Sequence, residues 1–328
     1  MPGAIVIVGV GSPSANSGSP HNGGSGASLG SFVPLACVEV LGQSCLGRCV
    51  DNLRAAGIDT ISVVADTGLL GARDAIERSV NAPISWVVDC NVYVSQAIDE
   101  FRRMQIDSFF LTLANAHVEI DYVDALQCHQ ERSSKVTRVM DDQGTLDVWI
   151  VDPNQAAGTV NEITEAEDNR YELRGYLNRL QRLPDLRRLA IDSFHSRCQL
   201  RPRGQEVRPG VWIHPAADLH RGARVVAPAF VGKGARIEEQ CLITRCSNVE
   251  SDCLIDYGTV IEDSSVLSNS YVGIGLDLCH AVVNGNQLVH LEREVTLEIT
   301  DPAVIRRNRV PRNEVNRHSS VEVGILGA

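Results

Sequence analysis

Gly9 and Gly11 directly follow the apolar run Ala4–Val8, and Asn115 and His117 directly follow the apolar run Ser108–Ala114. Both runs have the length and composition of buried strands. Ligands of α/β proteins bind outside the carboxyl ends of strands, so all four residues are candidate substrate-binding residues. Glycine lets a backbone N–H approach a phosphate, while an amide and an imidazole can each donate and accept hydrogen bonds. The spacing Gly9-x-Gly11-x-x-Ser14 lacks the third glycine of a dinucleotide motif. It leads into a Gly/Ser run where that motif would open a helix, so no nicotinamide cofactor is expected.

Other reactive side chains are few or scattered. Lys135 and Lys233 are the only lysines, so any lysine-dependent mechanism has two candidates. The 10 cysteines include no Cys-x-x-Cys pair and no zinc-ligand spacing, and are expected to be buried, reduced thiols. His214, His220, His280 and His290 lie in or near a repeat described below, and His280 is the candidate general base among them. The segment 303–318 holds five arginines against one glutamate and reads as a solvated or interface segment.

The elements that must position these residues alternate. Ala4–Val8, Ile58–Ala65, Ile84–Val88 and Ser108–Ala114 read as strands. Ser44–Gly57, Leu70–Ser79, Val94–Met104 and Asp121–Arg132 read as helices, the first and third with one apolar face and the last with an acidic first turn. Val136–Met140 and Leu146–Val151 flank Asp141-Asp142-Gln143-Gly144, a hairpin turn. The expected fold class is α/β, with a mostly parallel sheet and helices on both faces. From Gly11 to Ser31, 13 of 21 residues are Gly or Ser, which predicts a flexible loop. Residues 165–199 read as two charged helices divided by Pro184, and Arg201–Pro209 as a linker.

A period of six then begins. Ile213, Leu219, Val225, Val231, Ile237, Ile243, Val249, Ile255, Ile261 and Leu267 carry aliphatic side chains in one phase. Four residues after each stands Ala217, Ala223, Ala229, Ala235, Cys241, Ser247, Cys253, Thr259, Ser265 or Tyr271; all but the last are small. Such a repeat predicts a solenoid with stacked aliphatics inside and small residues at its corners. The expected domains are 1–160, an α/β domain; 161–208, a helical linker; 209–290, the hexad repeat; and 291–328, a strand and basic tail.

With 30 basic against 41 acidic residues, the formal charge is −11, which argues against nucleic acid as a main partner. No apolar run approaches the roughly 20 residues of a membrane span, and the start MPGAIVIVGV has no basic leader. A cytoplasmic location is therefore expected.

The hexads resemble the left-handed parallel β-helix of hexapeptide-repeat proteins, a family of acyltransferases and oligomerising domains. The N-terminal half resembles the sugar-phosphate nucleotidyltransferases that make NDP-sugars. AIVIVG, PLACVEVLGQSCLGRCVDNLRAAGIDTISVV at 34–64 and SFFLTLANAHVEIDYVDALQCH at 108–129 carry this likeness. It implies a Rossmann-like nucleotidyltransferase domain, a nucleotide or NDP-sugar ligand, magnesium if the chain is catalytic, and homo-oligomers assembled through the β-helix. Four family features are changed. No arginine precedes Arg48 in or after the first loop, and Val33 stands where a lysine is expected before Pro34-Leu35. Asp152-Pro153 replaces a Lys-Pro pair, and Leu113-Ala114-Asn115-Ala116-His117 lacks the metal aspartate. These groups neutralise charge at phosphorus during nucleotidyl transfer. The resemblance therefore implies a binding or regulatory role in sugar-nucleotide or surface-polysaccharide metabolism. Its alternatives are an active sugar-1-phosphate nucleotidyltransferase and a hexapeptide-repeat acyltransferase.

Overall fold

The computed structural model describes residues 1–9, 33–155, 159–166 and 169–308. The expected flexible loop at Gly11–Ser31 and most of the basic tail lie outside the described residues. The fold is mixed α/β, with a largely parallel sheet in the N-terminal part and many short strands in the C-terminal part.

The N-terminal sheet has seven strands. In spatial order they are Asn169–Glu172, Val136–Asp141, Gly144–Val151, Ser108–Leu113, Pro2–Val8, Thr60–Asp66 and Ile84–Val87. Four of the six pairings are parallel, and the two around Gly144–Val151 are antiparallel. Ala4, Ile5, Val6, Ile7 and Val8 are all buried, because helices cover both faces of this central strand. Ser44 caps the helix Cys45–Ala55 by accepting from the Gly47 N–H, and Asp121 caps Tyr122–Glu131 by accepting from Val123 and Asp124. The Asp141–Gly144 turn forms as expected.

Residues 165–199 differ from the expected pair of helices. Asn169–Glu172 adds an edge strand to the main sheet, and Leu177–Arg179 pairs antiparallel with Ala116–Val118. Only Leu183–Phe194 forms a helix after them, with Pro184 in its first turn instead of between two helices. Proline fits there, since first-turn N–H groups have no helical partner. The charge pattern of 169–172 hid alternation: Asn169 and Tyr171 are buried while Arg170 and Glu172 face out. The expected linker likewise holds a strand, Gln205–Arg208, paired antiparallel with Val211–Ile213.

From Val211 onward the short strands fall into three sheets that are parallel through the repeat. Strands pair with those 18 residues on: Val211 with Ala229, Asp218 with Arg236, Arg224 with Leu242. The aliphatic phase holds from Ile213 to Ile261, and Val225 through Ile261 are buried. After Ile261 the spacing drops to 17, as Asn248 pairs with Ser265 and Leu254 with Tyr271. Val266, Val272 and Leu278 therefore continue the stack, and Leu267 leaves it. Leu267 is still buried, but against the helix Leu183–Phe194 and its neighbours.

The same one-residue loss explains the anomalous Tyr271. Cys241, Ser247, Cys253, Thr259 and Ser264 each donate to the carbonyl fourteen residues ahead: those of Ile255, Ile261, Leu267, Gly273 and Leu278. This donor position thus belongs to Ser264, not to Ser265; the buried Ser270 takes the place next to Tyr271, its Oγ accepting from the Gly285 N–H. A small polar side chain suits it because the corner is too narrow for bulk and leaves carbonyls to satisfy.

A hairpin of the N-terminal part reaches a buried carboxylate of the repeat. The hairpin Glu39–Val40/Gln43–Ser44 turns at Leu41 and Gly42, both at positive φ, as a two-residue turn requires. Their N–H groups donate to the Glu250 carboxylate at 2.7 and 2.9 Å, and Asn248 Nδ2 donates at 2.6 Å. Burial, aided by nearby Glu39, outweighs these three donors and pushes the Glu250 carboxyl up to about 7. Stability from this group is complete below its ordinary pKa of 4.5 and is lost as pH rises through about 7. The loss amounts to about 3 kcal/mol, because each tenfold gain in proton affinity on folding is worth about 1.4 kcal/mol. Denaturant melts from pH 4.5 to 8 should show this decline in the wild type and a smaller one in Glu250→Gln. Equal slopes would show that Glu250 stays ionised in the fold.

Candidate functional site

Strands Pro2–Val8, Thr60–Asp66 and Ser108–Leu113 end along one edge, since Val8 pairs with Ala65 and Ile7 with Leu113. The Ala114 N–H donates to the Ile7 carbonyl, so Gly9 and Asn115 leave neighbouring strands side by side. From Pro2–Val8 the chain builds outward through Thr60–Asp66 to Ile84–Val87, then returns to place Ser108–Leu113 on the other side. The direction of winding therefore reverses between the strands that carry Gly9 and Asn115. At such a reversal the connecting chains diverge and leave a crevice for a ligand.

Gly9 has φ +92°, a region that favours glycine, and a Cβ there would collide with Leu69 Cδ1. Gly11 lies outside the described residues. Asn115 Nδ2 donates to Asp147 Oδ2 at 2.5 Å, and the Asn115 carbonyl accepts from the Leu180 N–H. This second contact brings in Arg179, whose guanidinium grips Asp141 with two bonds of 2.9 and 3.0 Å and reaches Gln143. Those bonds hold the Asp141 carboxyl below the usual carboxylate range.

His117 does not join this group. Its ring is buried and turns toward the helix Cys45–Ala55, between a small cavity beside Cys45 and Cys49 and a polar cleft of about 290 Å³. Arg48, Asp51, Arg201 and Arg203 line that cleft. His117 Nε2 stands 3.5 Å from Glu119 Oε1 and has no hydrogen-bond partner among the described residues. Burial lowers the Arg48 guanidinium to about 10, while its Nη atoms bind the carbonyls of Val40, Leu41 and Arg201.

Asp147, Asp141 and Arg179 were not among the expected site residues. Asp147 interrupts the apolar run Leu146–Val151, a detectable signal. Arg179 gave none, because its segment reads as helix. The donor set does not suit magnesium: Asp147 is held by Asn115, and Asp141 is neutralised by Arg179. Among the described residues no three His, Cys, Asp or Glu side chains gather closely enough to hold a metal ion.

The histidines of the repeat have local partners. His280 Nδ1 lies 2.6 Å from Asp263 and its Nε2 3.4 Å from Glu292, so both nitrogens face carboxylates. His214, His220 and His290 each accept a backbone N–H through Nδ1. Among the described residues, no helix is long and apolar enough to cross a membrane. No protein-family model matches this chain, and no curated protein matches it.

Proposed function

We propose that this chain is a nucleotidyltransferase-like protein that binds a nucleotide or NDP-sugar at the Gly9/Asn115 edge without turning it over. The observation that carries this reading is the reversal of winding between the strands bearing Gly9 and Asn115. Two candidates chosen from sequence stand at that reversal, the place where α/β proteins bind ligands. Backbone N–H groups at strand ends bind phosphate oxygens without needing a particular side chain. Turnover is a different matter, since the nearby carboxylates Asp141 and Asp147 are already held by Arg179 and Asn115.

The same proposal covers architecture and setting. The three sheets with 18-residue spacing support a left-handed β-helix over 209–290, which we take as the surface for homo-oligomer assembly. The α/β unit, proposed from sequence as 1–160, extends to include the edge strand Asn169–Glu172. The proposed setting is cytoplasmic sugar-nucleotide or surface-polysaccharide metabolism.

Thermal denaturation with UDP, GDP, UDP-glucose and GDP-mannose tests binding. A ligand at 100 times its dissociation constant adds about 2.7 kcal/mol of stability. At least one of the four should raise the melting temperature of the wild type, and Asn115→Trp, which puts bulk at this strand end, should cancel the rise. No shift with any of them would sink the binding reading. Pyrophosphate release from NTP and sugar 1-phosphate, lost in Asn115→Trp, would make the protein an active nucleotidyltransferase instead.

A further inference from the structure

A second concavity, of about 420 Å³, opens where the N-terminal part meets the repeat. That volume lies within the range of roughly 300–1,000 Å³ typical of small-molecule sites. Its apolar wall includes Leu183 and Leu267. Its polar groups come from distant elements: Arg78 from the helix Arg73–Ser79, Asn269 just before the strand Ser270–Val272, Asn284 and Gln287 from the paired strands Ala281–Asn284 and Gln287–His290, and Arg307 from the strand Ile305–Arg307.

These groups are largely unspent. The Arg78 and Arg307 side chains make no hydrogen bond and no ion pair among the described residues, although Arg78 partly offsets the rise that burial and Glu39 impose on the Asp252 carboxyl. The side-chain amides of Asn269, Asn284 and Gln287 likewise make no hydrogen bond there. The one carboxylate among the described lining residues, Glu39, accepts from Ser268 Oγ at 2.7 Å. Two arginines against one glutamate is a cationic lining in a chain of net charge −11.

We propose that this junction pocket binds a polyhydroxylated organic anion, a sugar phosphate or a sugar acid. Each part of the lining selects one part of such a ligand. The two guanidinium groups take the phosphate or carboxylate, which planar N–H donors bind in pairs. The three amides donate and accept at once, as hydroxyl groups require. The leucines cover the C–H face of a sugar ring. The helix Arg73–Ser79 runs back from strand Thr60–Asp66 to strand Ile84–Val87, which is parallel to it. Arg78 therefore lies toward the end of the sheet where strands begin, opposite Gly9 and Asn115. The proposal is independent of nucleotide binding at that other edge.

Calorimetric titration of the full chain with glucose 6-phosphate, gluconate and glucose tests it. At least one of the two anions should bind, and uncharged glucose should bind at least tenfold more weakly. Binding of glucose 6-phosphate alone assigns a sugar phosphate, and binding of gluconate alone a sugar acid. Arg78→Ala and Arg307→Ala should each weaken binding about tenfold or more, with melting temperatures unchanged, because both side chains are exposed. Asn115→Trp should leave the affinity as it was. The proposal is overturned if neither anion binds, if both arginine variants bind like the wild type, or if Asn115→Trp abolishes the binding.

Discussion

Ile255→Asp abolishes cooperative folding of the C-terminal repeat. Ile255 is fully buried and sits between Ile237 on one neighbouring strand and Val272 on the other. The buried stack around it is aliphatic apart from the Cys241 and Cys253 thiols, so a carboxylate there gains no strong donor. An unpaired buried polar group costs about 2–7 kcal/mol and an ionised one more, against a typical total stability of about 5–15 kcal/mol. The strand also leans on both neighbours, so its loss removes the surface on which the next strands stack. Ile255→Val, which removes one methylene, should cost only about 1 kcal/mol and keep the transition cooperative. Far-ultraviolet circular dichroism through a thermal melt separates the outcomes. A soluble Ile255→Asp protein with a single sharp transition near that of the wild type would mean that the aliphatic phase is wrongly placed.

Arg187→Leu loosens the junction between helix and repeat. Arg187 is buried on the helix Leu183–Phe194, and its Nη2 meets Asp263 Oδ1 at 2.5 Å. Its Nη1 donates to the Cys246 carbonyl at 2.5 Å and approaches Asn248 Oδ1 at 3.4 Å. Leucine keeps much of the apolar volume but strands these acceptors together. Removing one partner of a buried ion pair costs about 3–5 kcal/mol. The lower figure, about 3 kcal/mol, is expected here because Asp263 is partly exposed and also has His280 as a partner. Arg187→Lys should recover little, since an ammonium cannot present the planar fork to acceptors in two separate bends of the repeat. Urea unfolding of both variants checks this. A loss under 1 kcal/mol for Arg187→Leu would show that water or a rearranged side chain satisfies Asp263.

Much of this architecture was legible because burial repeats with a short period. The run Ala4–Val8 and the apolar faces of Cys45–Ala55 and Cys90–Arg103 record layers that touch the sheet at every turn. Where charge dominates, that record fades: Arg170 and Glu172 masked an edge strand whose other face is buried. Of the candidate site, Gly9 and Asn115 were chosen by their places after apolar runs, and the strands before them end side by side. His117 was chosen by the same rule, yet its ring turns toward another face. Proximity in sequence says where a backbone goes and not which side of it a side chain serves.

By itself the sequence determined the alternating strands and helices, the hairpin at Asp141–Gly144 and the aliphatic phase from Ile213 to Ile261. Each follows from interactions between residues a few positions apart, or from one contact repeated at a fixed interval. Only the tertiary structure decided where that interval slips. Leu267 matches the period of six as well as Ile261 does, and only pairing with the preceding strand selects Val266 in its place. Tertiary contact likewise chose the partners of Asn115 and Arg187, which lie 32 and 76 residues away at Asp147 and Asp263. It also gathered Arg78, Asn269 and Arg307 around one pocket. A single polar contact between distant residues leaves no periodic trace, because it is made once and only after both surfaces have been built.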